Sequence, residues 1–275
     1  MKKYINSIWT LAVATLASSA LLVGCQDTDY PTPTPANGPS TVTSRFLFVN
    51  AAPATPALNF LVENTPVAQN IGFGQAAAQY ATVPAGTIQL RARAATGSVG
   101  GVLGSNDIVF RAGATNQTNF AAAANTSYTV FVTDTLNRPR PTTLNATNLG
   151  GPQFLVVTDV LTAPTAGNGG VRFFNLTPNG GSLSLVLTPA TGTATTFAAR
   201  AFRAISTGTG ATAMNFASFT NVPVGTYTAQ VRAGTTVVAS TTLTVAQGKL
   251  YTVYSSGLRN TTGATAPGVQ VITNN

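Results

Sequence analysis

The residues of this chain that could do chemistry are few. There is one cysteine, there is no histidine, and there are six acidic residues in 275. Without histidine no Ser-His-Asp or Cys-His nucleophile system can be built, and the usual zinc sites are lost as well. Paired carboxylates could hydrolyse a glycoside, yet only Glu63, Asp107, Asp134 and Asp159 fall in the part that reads as folded, each at the end of an expected strand. Calcium needs several acidic oxygens at one point, so the same scarcity argues against it. A Ser-Lys dyad would have to use Lys249, beside an expected turn at Gly248, where a solvated lysine is the simpler reading. Gly72 to Ala77 and Gly208 to Ala213 match a relaxed dinucleotide fingerprint, but neither follows a clear strand and opens a helix, so both read as turns. The expectation is a protein that is not an enzyme, with no catalytic residue, no metal and no cofactor.

Cys25 is the residue with chemistry assigned to it, and that chemistry is done by other enzymes. Lys2 and Lys3 give a positive start, and an apolar run from Ile8 to Val23 follows, too short and too rich in Ala, Ser and Thr for a membrane span. Leu22-Val23-Gly24-Cys25 resembles the bacterial lipobox, so 1–24 reads as a lipoprotein signal peptide cut between Gly24 and Cys25. Lipidation at Cys25 would then anchor the chain to the cell outer membrane. Asp27 and Asp29 resemble the surface-export signal of Bacteroidetes-like lipoproteins, or are two solvated aspartates. A lone cysteine excludes an intrachain disulfide, so the core alone must hold the fold.

Charged residues are only 7% of the chain, against roughly a quarter in ordinary globular proteins. Mean hydropathy is nonetheless +0.22, and apolar residues recur in short blocks that can form a core. Removing Lys2 and Lys3 from the 14 basic residues leaves 12 against 6 acidic ones, a net charge of +6. Apart from Lys249 these are arginines, among them Arg45, Arg91, Arg93, Arg172, Arg200 and Arg232, scattered as single residues. They read as cations on polar strand faces and rims, and with no dense basic run no nucleic-acid partner is expected.

From residue 25 to 43 the chain is the Cys25 anchor and a Pro/Thr-rich tether, with Pro31, Pro33, Pro35 and Pro39 favouring an extended spacer. Beyond it, strand-length blocks alternate with Gly, Pro and Asn. Ser44–Asn50 is apolar at successive positions, as in a strand covered on both faces. Thr87–Arg93 and Thr226–Arg232 alternate cleanly. Further strands are expected at Leu58–Glu63, Asp107–Arg111, Tyr128–Thr133, Phe154–Thr158, Val171–Leu176, Ser182–Leu187, Met214–Phe219, Val237–Val245, Leu250–Ser255 and Val269–Thr273. The Ala-rich stretch 194–204 is the one candidate for a short helix, or a loop.

An internal repeat organises these blocks. Val83-Pro84-Ala85-Gly86-Thr87 returns as Val222-Pro223-Val224-Gly225-Thr226, Arg45-Phe46-Leu47-Phe48 as Arg172-Phe173-Phe174, and Tyr128-Thr129-Val130-Phe131 as Tyr251-Thr252-Val253-Tyr254. Asn125 falls opposite Gly248, both tolerant of the left-handed turn conformation. The fold expected is all-β, with two tandem immunoglobulin-like antiparallel β-sandwich domains: a first repeat at 44–160, a linker at 161–170 and a second repeat at 171–275.

The blocks at 46–62, 72–87, 156–178 and 221–234 are similar to the uncharacterised family known as domain of unknown function four-three-nine-seven. The resemblance spans most of 44–275 in two copies and implies a tandem envelope or secreted protein with no established activity. Many members have a histidine and an aspartate after the first strand. Here Asn50 and Asn175 stand in place of the histidine, and Ala54 or Asn179 in place of the aspartate, so no role carries over.

The function expected is that of a non-catalytic envelope lipoprotein presenting two modules for adhesion or for binding a protein or glycan ligand. The alternatives are a carbohydrate-binding accessory lipoprotein of a glycan-uptake system and a purely structural envelope protein. Sugar platforms use Trp or Tyr faces; the one tryptophan, Trp9, is in the leader, which leaves Tyr80, Tyr128, Tyr227, Tyr251 and Tyr254. Tyr128 and Tyr251 read rather as core or corner tyrosines. Asp134-Thr135-Leu136 resembles the Bacteroidetes acceptor motif for O-glycosylation, with Thr135 as the acceptor.

Overall fold

The computed structural model describes residues 42–97, 99, 107–111, 118–136, 151–207 and 214–275. Gly24, Cys25, the rest of the expected leader, the expected tether up to residue 41 and the turn expected at Gly208–Ala213 lie outside the described residues. Thr41–Asn275 forms one compact unit.

The first half contains β1 (Thr43–Asn50), β2 (Leu58–Val62), β3 (Thr65–Ile71), β4 (Ala81–Pro84), β5 (Gly86–Ile88), β6 (Leu90–Ala94), β7 (Asp107–Val109), β8 (Phe120–Ala122), β9 (Ser127–Thr133) and β10 (Gln153–Asp159). They form sheets of order β10-β9-β1-β4 and β3-β2-β6-β7, with β5 paired to β8. The second half contains β11 (Asn168–Asn175), β12 (Leu183–Pro189), β13 (Thr195–Arg200), β14 (Ser206–Thr207), β15 (Met214–Asn215), β16 (Thr220–Pro223), β17 (Gly225–Ala233), β18 (Thr236–Val245), β19 (Leu250–Ser256) and β20 (Gly268–Thr273). Its sheets, β20-β19-β11-β16 and β13-β12-β17-β18, repeat the same order. Each half is therefore a β-sandwich, and among the described residues each has one parallel pairing, β1 on β9 and β11 on β19.

Period-two patterning fills each sandwich. Ile88, Leu90 and Ala92 are buried while Gln89, Arg91 and Arg93 point away, as their alternation requires. The expected single strand 87–93 is interrupted at Gln89, whose N–H donates to Glu63 Oε1 at 2.8 Å. The repeated Val-Pro-x-Gly-Thr motif is a corner. β4 pairs with β1 in one sheet, and after Gly86 (φ 126°) the chain joins the facing layer as β5 and β6; β16, Gly225 (φ 154°) and β17 do the same. Gly at that position reaches a backbone region that side chains avoid, and Val83 and Val222 point into the core just before it. Asn125 (φ 55°) and Gly248 (φ 75°) occupy equivalent left-handed turn positions, as expected. Three and three residues on, the Tyr128 and Tyr251 hydroxyls accept from Ala123 N at 3.0 Å and Ala246 N at 3.1 Å, so both are corner tyrosines.

β1 is apolar at successive positions because both its faces are covered. Phe46 and Phe48 enter the first sandwich core, whereas Leu47, Val49 and Ala51 join Phe131, Val157, Phe174, Leu176, Phe216, Tyr254 and Ile272 in a third cluster between the sandwiches. At its centre Phe131 and Tyr254, equivalent residues of β9 and β19, meet edge to face at 5.6 Å.

Three readings are corrected. Residues 195–200 of the Ala-rich stretch are strand β13, not helix or loop. Phe197 and Arg200 are both buried three residues apart, a helical spacing, because a bulge sets them against Leu185 and Leu183 of β12. Of the strand expected at Met214–Phe219 only Met214–Asn215 is extended, and Phe216 turns into the inter-sandwich cluster. In the repeat, Arg172 does not correspond to Arg45. Leu47 lies beside Thr129 and Arg172 beside Thr252, so Arg172 takes the place of Leu47, and Gly170 that of Arg45.

Candidate functional site

The strongest concentration of polar side chains lies in the seam between the sandwiches. Asp159 ends β10 and Arg172 lies on β11, and both side chains have no solvent exposure. Arg172 Nη2 donates to Asp159 Oδ1 at 2.6 Å and to Thr129 Oγ1 at 3.0 Å, Nε donates to Thr252 Oγ1 at 2.7 Å, and Nη1 donates to the Ala217 carbonyl at 3.1 Å. Asp159 Oδ2 accepts from Thr129 Oγ1 at 2.8 Å and from the Tyr80 hydroxyl at 2.7 Å. Asn274 closes the cluster, its Nδ2 donating to Tyr80 OH and to Thr129 Oγ1, each at 3.0 Å, and its Oδ1 accepting from Thr252 at 2.6 Å. Burial, and then the Asp159 charge, push the Tyr80 phenol well above its ordinary range. The Arg172 guanidinium lies 4.5 Å from the Phe219 ring centroid, so its planar face is covered too.

This cluster is asymmetric within a symmetric frame. Thr129 and Thr252 are equivalent, as are Asp159 and Asn274, and Leu47 and Arg172. One half of the seam thus holds an ion pair where the other holds a leucine and an amide. Burying a charge is costly unless it is paired and hydrogen-bonded, and here both ions are.

The asparagines after the first strands tie loops. Asn50 Nδ2 donates to the Pro56 and Ile71 carbonyls, and its Oδ1 accepts from Ala52 N and Thr55 Oγ1. Asn175 likewise donates to the Gly181 and Arg200 carbonyls and accepts from Thr177 N and Ser255 Oγ. An amide supplies both donors and acceptors, which these turns use in full.

The single-arginine reading fails for two residues. Arg172 is buried as described, and Arg200, which replaces Ile71 by its contact with the Asn175 amide, donates to the Phe173 carbonyl and lies 3.9 Å from the Phe216 ring centroid. Burial pushes Arg200 down to about 10. The signal in the sequence was an arginine inside the otherwise apolar block Val171–Phe174.

The four carboxylates do not converge. Glu63 (φ 55°) caps Gln89, and Asp107 pairs with Arg93 at 2.6 Å and Arg91 at 2.9 Å on an outer face. The hydrogen bond from Arg93 is the main cause that holds the Asp107 carboxyl below its ordinary range. Asp134, buried and left-handed (φ 79°), accepts from Thr135 N at 2.8 Å, and Asp159 belongs to the seam. Thr135 is half-buried in that turn after β9. Lys249 is exposed beside the Gly248 turn, and Gly72 to Gln75 is a turn, as expected. Tyr128, Tyr227, Tyr251 and Tyr254 are buried, and Tyr80 is held in the seam. A cavity of about 450 Å³ lies where the loop Gly74–Ala78 meets Val271–Thr273 and Leu47. Among the described residues no three His, Cys, Asp or Glu side chains are grouped to hold a metal ion, and no helix is long and apolar enough to cross a membrane.

No curated protein matches the chain. A family model described as "Domain of unknown function (DUF4397)" matches residues 44–186, more than half of the sequence. The match covers β1 to β10 and continues through β11 into β12, across the strands that carry Asp159 and Arg172. The chain therefore belongs to the DUF4397 family.

Proposed function

We propose that this protein is a non-catalytic cell-envelope lipoprotein, anchored in the outer membrane through acyl chains on Cys25 and presenting a rigid pair of family domains for adhesion or ligand binding. The observation that carries this reading is the use made of its polar groups. Glu63, Asp107 and Asp159 each take a scaffold partner, and the seam uses up Arg172, Tyr80 and Asn274 in joining the two sandwiches. Such a body suits presentation, because a ligand face on one sandwich keeps a fixed direction relative to the other. The carbohydrate-binding alternative loses its aromatic platforms, since four of its five candidate tyrosines lie in the core.

Metabolic labelling with a fatty-acid analogue tests the anchor. Label is expected on the wild type and absent from Cys25→Ala; label of equal strength on both would refute it. A pull-down of envelope extract on the purified protein should recover a binding partner, whereas hydrolase or transferase activity that survives purification would contradict the non-catalytic reading.

A further inference from the structure

The second sandwich has a long uncharged edge strand where the first has a short charged one. β18 is the outermost strand of its sheet and, among the described residues, is bonded only to β17. Its ten residues, TVVASTTLTV, contain no charge and no proline. An edge of this kind presents a row of unpaired N–H and C=O groups to which another strand can add, and proteins commonly blunt it with charge, proline or shortness. The corresponding strand of the first sandwich is β7, three residues long, where Asp107 sits opposite Arg93 and pairs with it and with Arg91. In the second sandwich the residue opposite Arg232 is Val237, 45% exposed. Other edges are blunted as well: β4 and β16 end on Pro84 and Pro223, and β3 carries Pro66 and shifts of register.

We propose that β18 is a self-association site, where a second copy of this chain adds its own β18 antiparallel and joins two four-stranded sheets into one. A second copy is the occupant because the strand is complementary to itself. A bulge interrupts its pairing with β17 near Val238, and beyond it Ala239–Val245 alternates regularly, Ser240, Thr242 and Thr244 exposed and Leu243 and Val245 buried. Faces match across a two-fold axis only if like parity meets like parity. Centring the axis on Thr242 meets that condition: Ser240 faces Thr244, Thr241 faces Leu243 and Ala239 faces Val245, uncharged hydroxyl and aliphatic residues with no like charges in opposition. An uncharged strand in a cationic protein gives an oppositely charged partner nothing to grip, whereas it lets an identical strand approach without repulsion. The inference goes beyond the proposed function and needs no lipid anchor.

Sedimentation equilibrium of the purified full chain decides it. The wild type should show a concentration-dependent dimer of twice the monomer mass. Thr242→Lys, which sets two cations against each other across the axis, should weaken that dimer at least about tenfold with an unchanged circular dichroism spectrum. Thr196→Lys, exposed on β13 at the opposite edge of the same sheet, should leave it within about threefold of wild type, since surface changes away from an interface are small. A wild type that stays monomeric to about 100 μM, weaker than any specific standard interface, overturns the proposal. So does a dimer that Thr242→Lys leaves intact, or one that both variants weaken equally.

Discussion

Arg172→Leu is expected to lower the unfolding free energy by about 3–5 kcal/mol, the cost of leaving a buried carboxylate without its counter-ion. Leucine is the residue that the first sandwich has at this place, in Leu47, so the change introduces no foreign shape. What it removes is the donor to Asp159 at 2.6 Å and the donors to Thr129, Thr252 and Ala217. The companion double variant Asp159→Asn with Arg172→Leu copies the other half of the seam, where Asn274 corresponds to Asp159. It should recover at least half of the loss, because a neutral amide can keep hydrogen bonds from Thr129 and Tyr80 without needing a cation. Urea unfolding of the two variants checks both statements. A loss under about 1 kcal/mol for the single variant would place the pair in the range of exposed ion pairs and contradict its burial.

Gly257→Ala is the second large effect, and its origin is steric. Gly257 follows β19 with φ 81°, and a Cβ there would stand 2.1 Å from the Ala266 carbonyl oxygen and 2.7 Å from its carbon. The loop cannot yield easily, since Leu258 N donates to the Thr265 carbonyl at 2.8 Å and holds it closed. Left-handed strain of roughly 1–2 kcal/mol combines with overpacking of about 1–3 kcal/mol, for an expected loss of about 2–5 kcal/mol. Gly74→Ala serves as the comparison. Its φ is similar, 78°, but the nearest atoms to its Cβ belong to the flexible end of Gln270 at 3.3 Å, so strain alone of about 1–2 kcal/mol should appear. Thermal unfolding should rank the two in that order.

What could be read from the sequence was whatever depends on neighbours along the chain. Alternation at 87–93 and 226–232, the apolar run 44–50, the corner motif at 83–87 and 222–226, and the tyrosines at 128 and 251 each write their own local signal. The apolar run even announced that β1 is covered twice, although only the fold shows that the second cover is another sandwich. Edge strands such as β3 escaped, because a strand with one exposed face and few apolar residues has no clean period. β13 carries no strand signal, because its bulge gives a strand helical spacing. The seam was invisible for a different reason. Tyr80, Thr129, Asp159, Arg172, Thr252 and Asn274 are brought together over up to 194 residues, and no short motif links them. Part of it is written in the repeat: with Asn50 and Asn175 in register, Arg172 stands against Leu47 as a charge where a hydrophobe is expected.

The two sandwiches are one body, and calorimetric unfolding of the wild-type protein tests that most directly. A cluster of ten buried apolar residues and the Asp159–Arg172 seam join them, so one transition is predicted, with the van't Hoff enthalpy equal to the calorimetric enthalpy for the whole folded unit. Two separated transitions in the wild type, each carrying about half of the enthalpy, would contradict it.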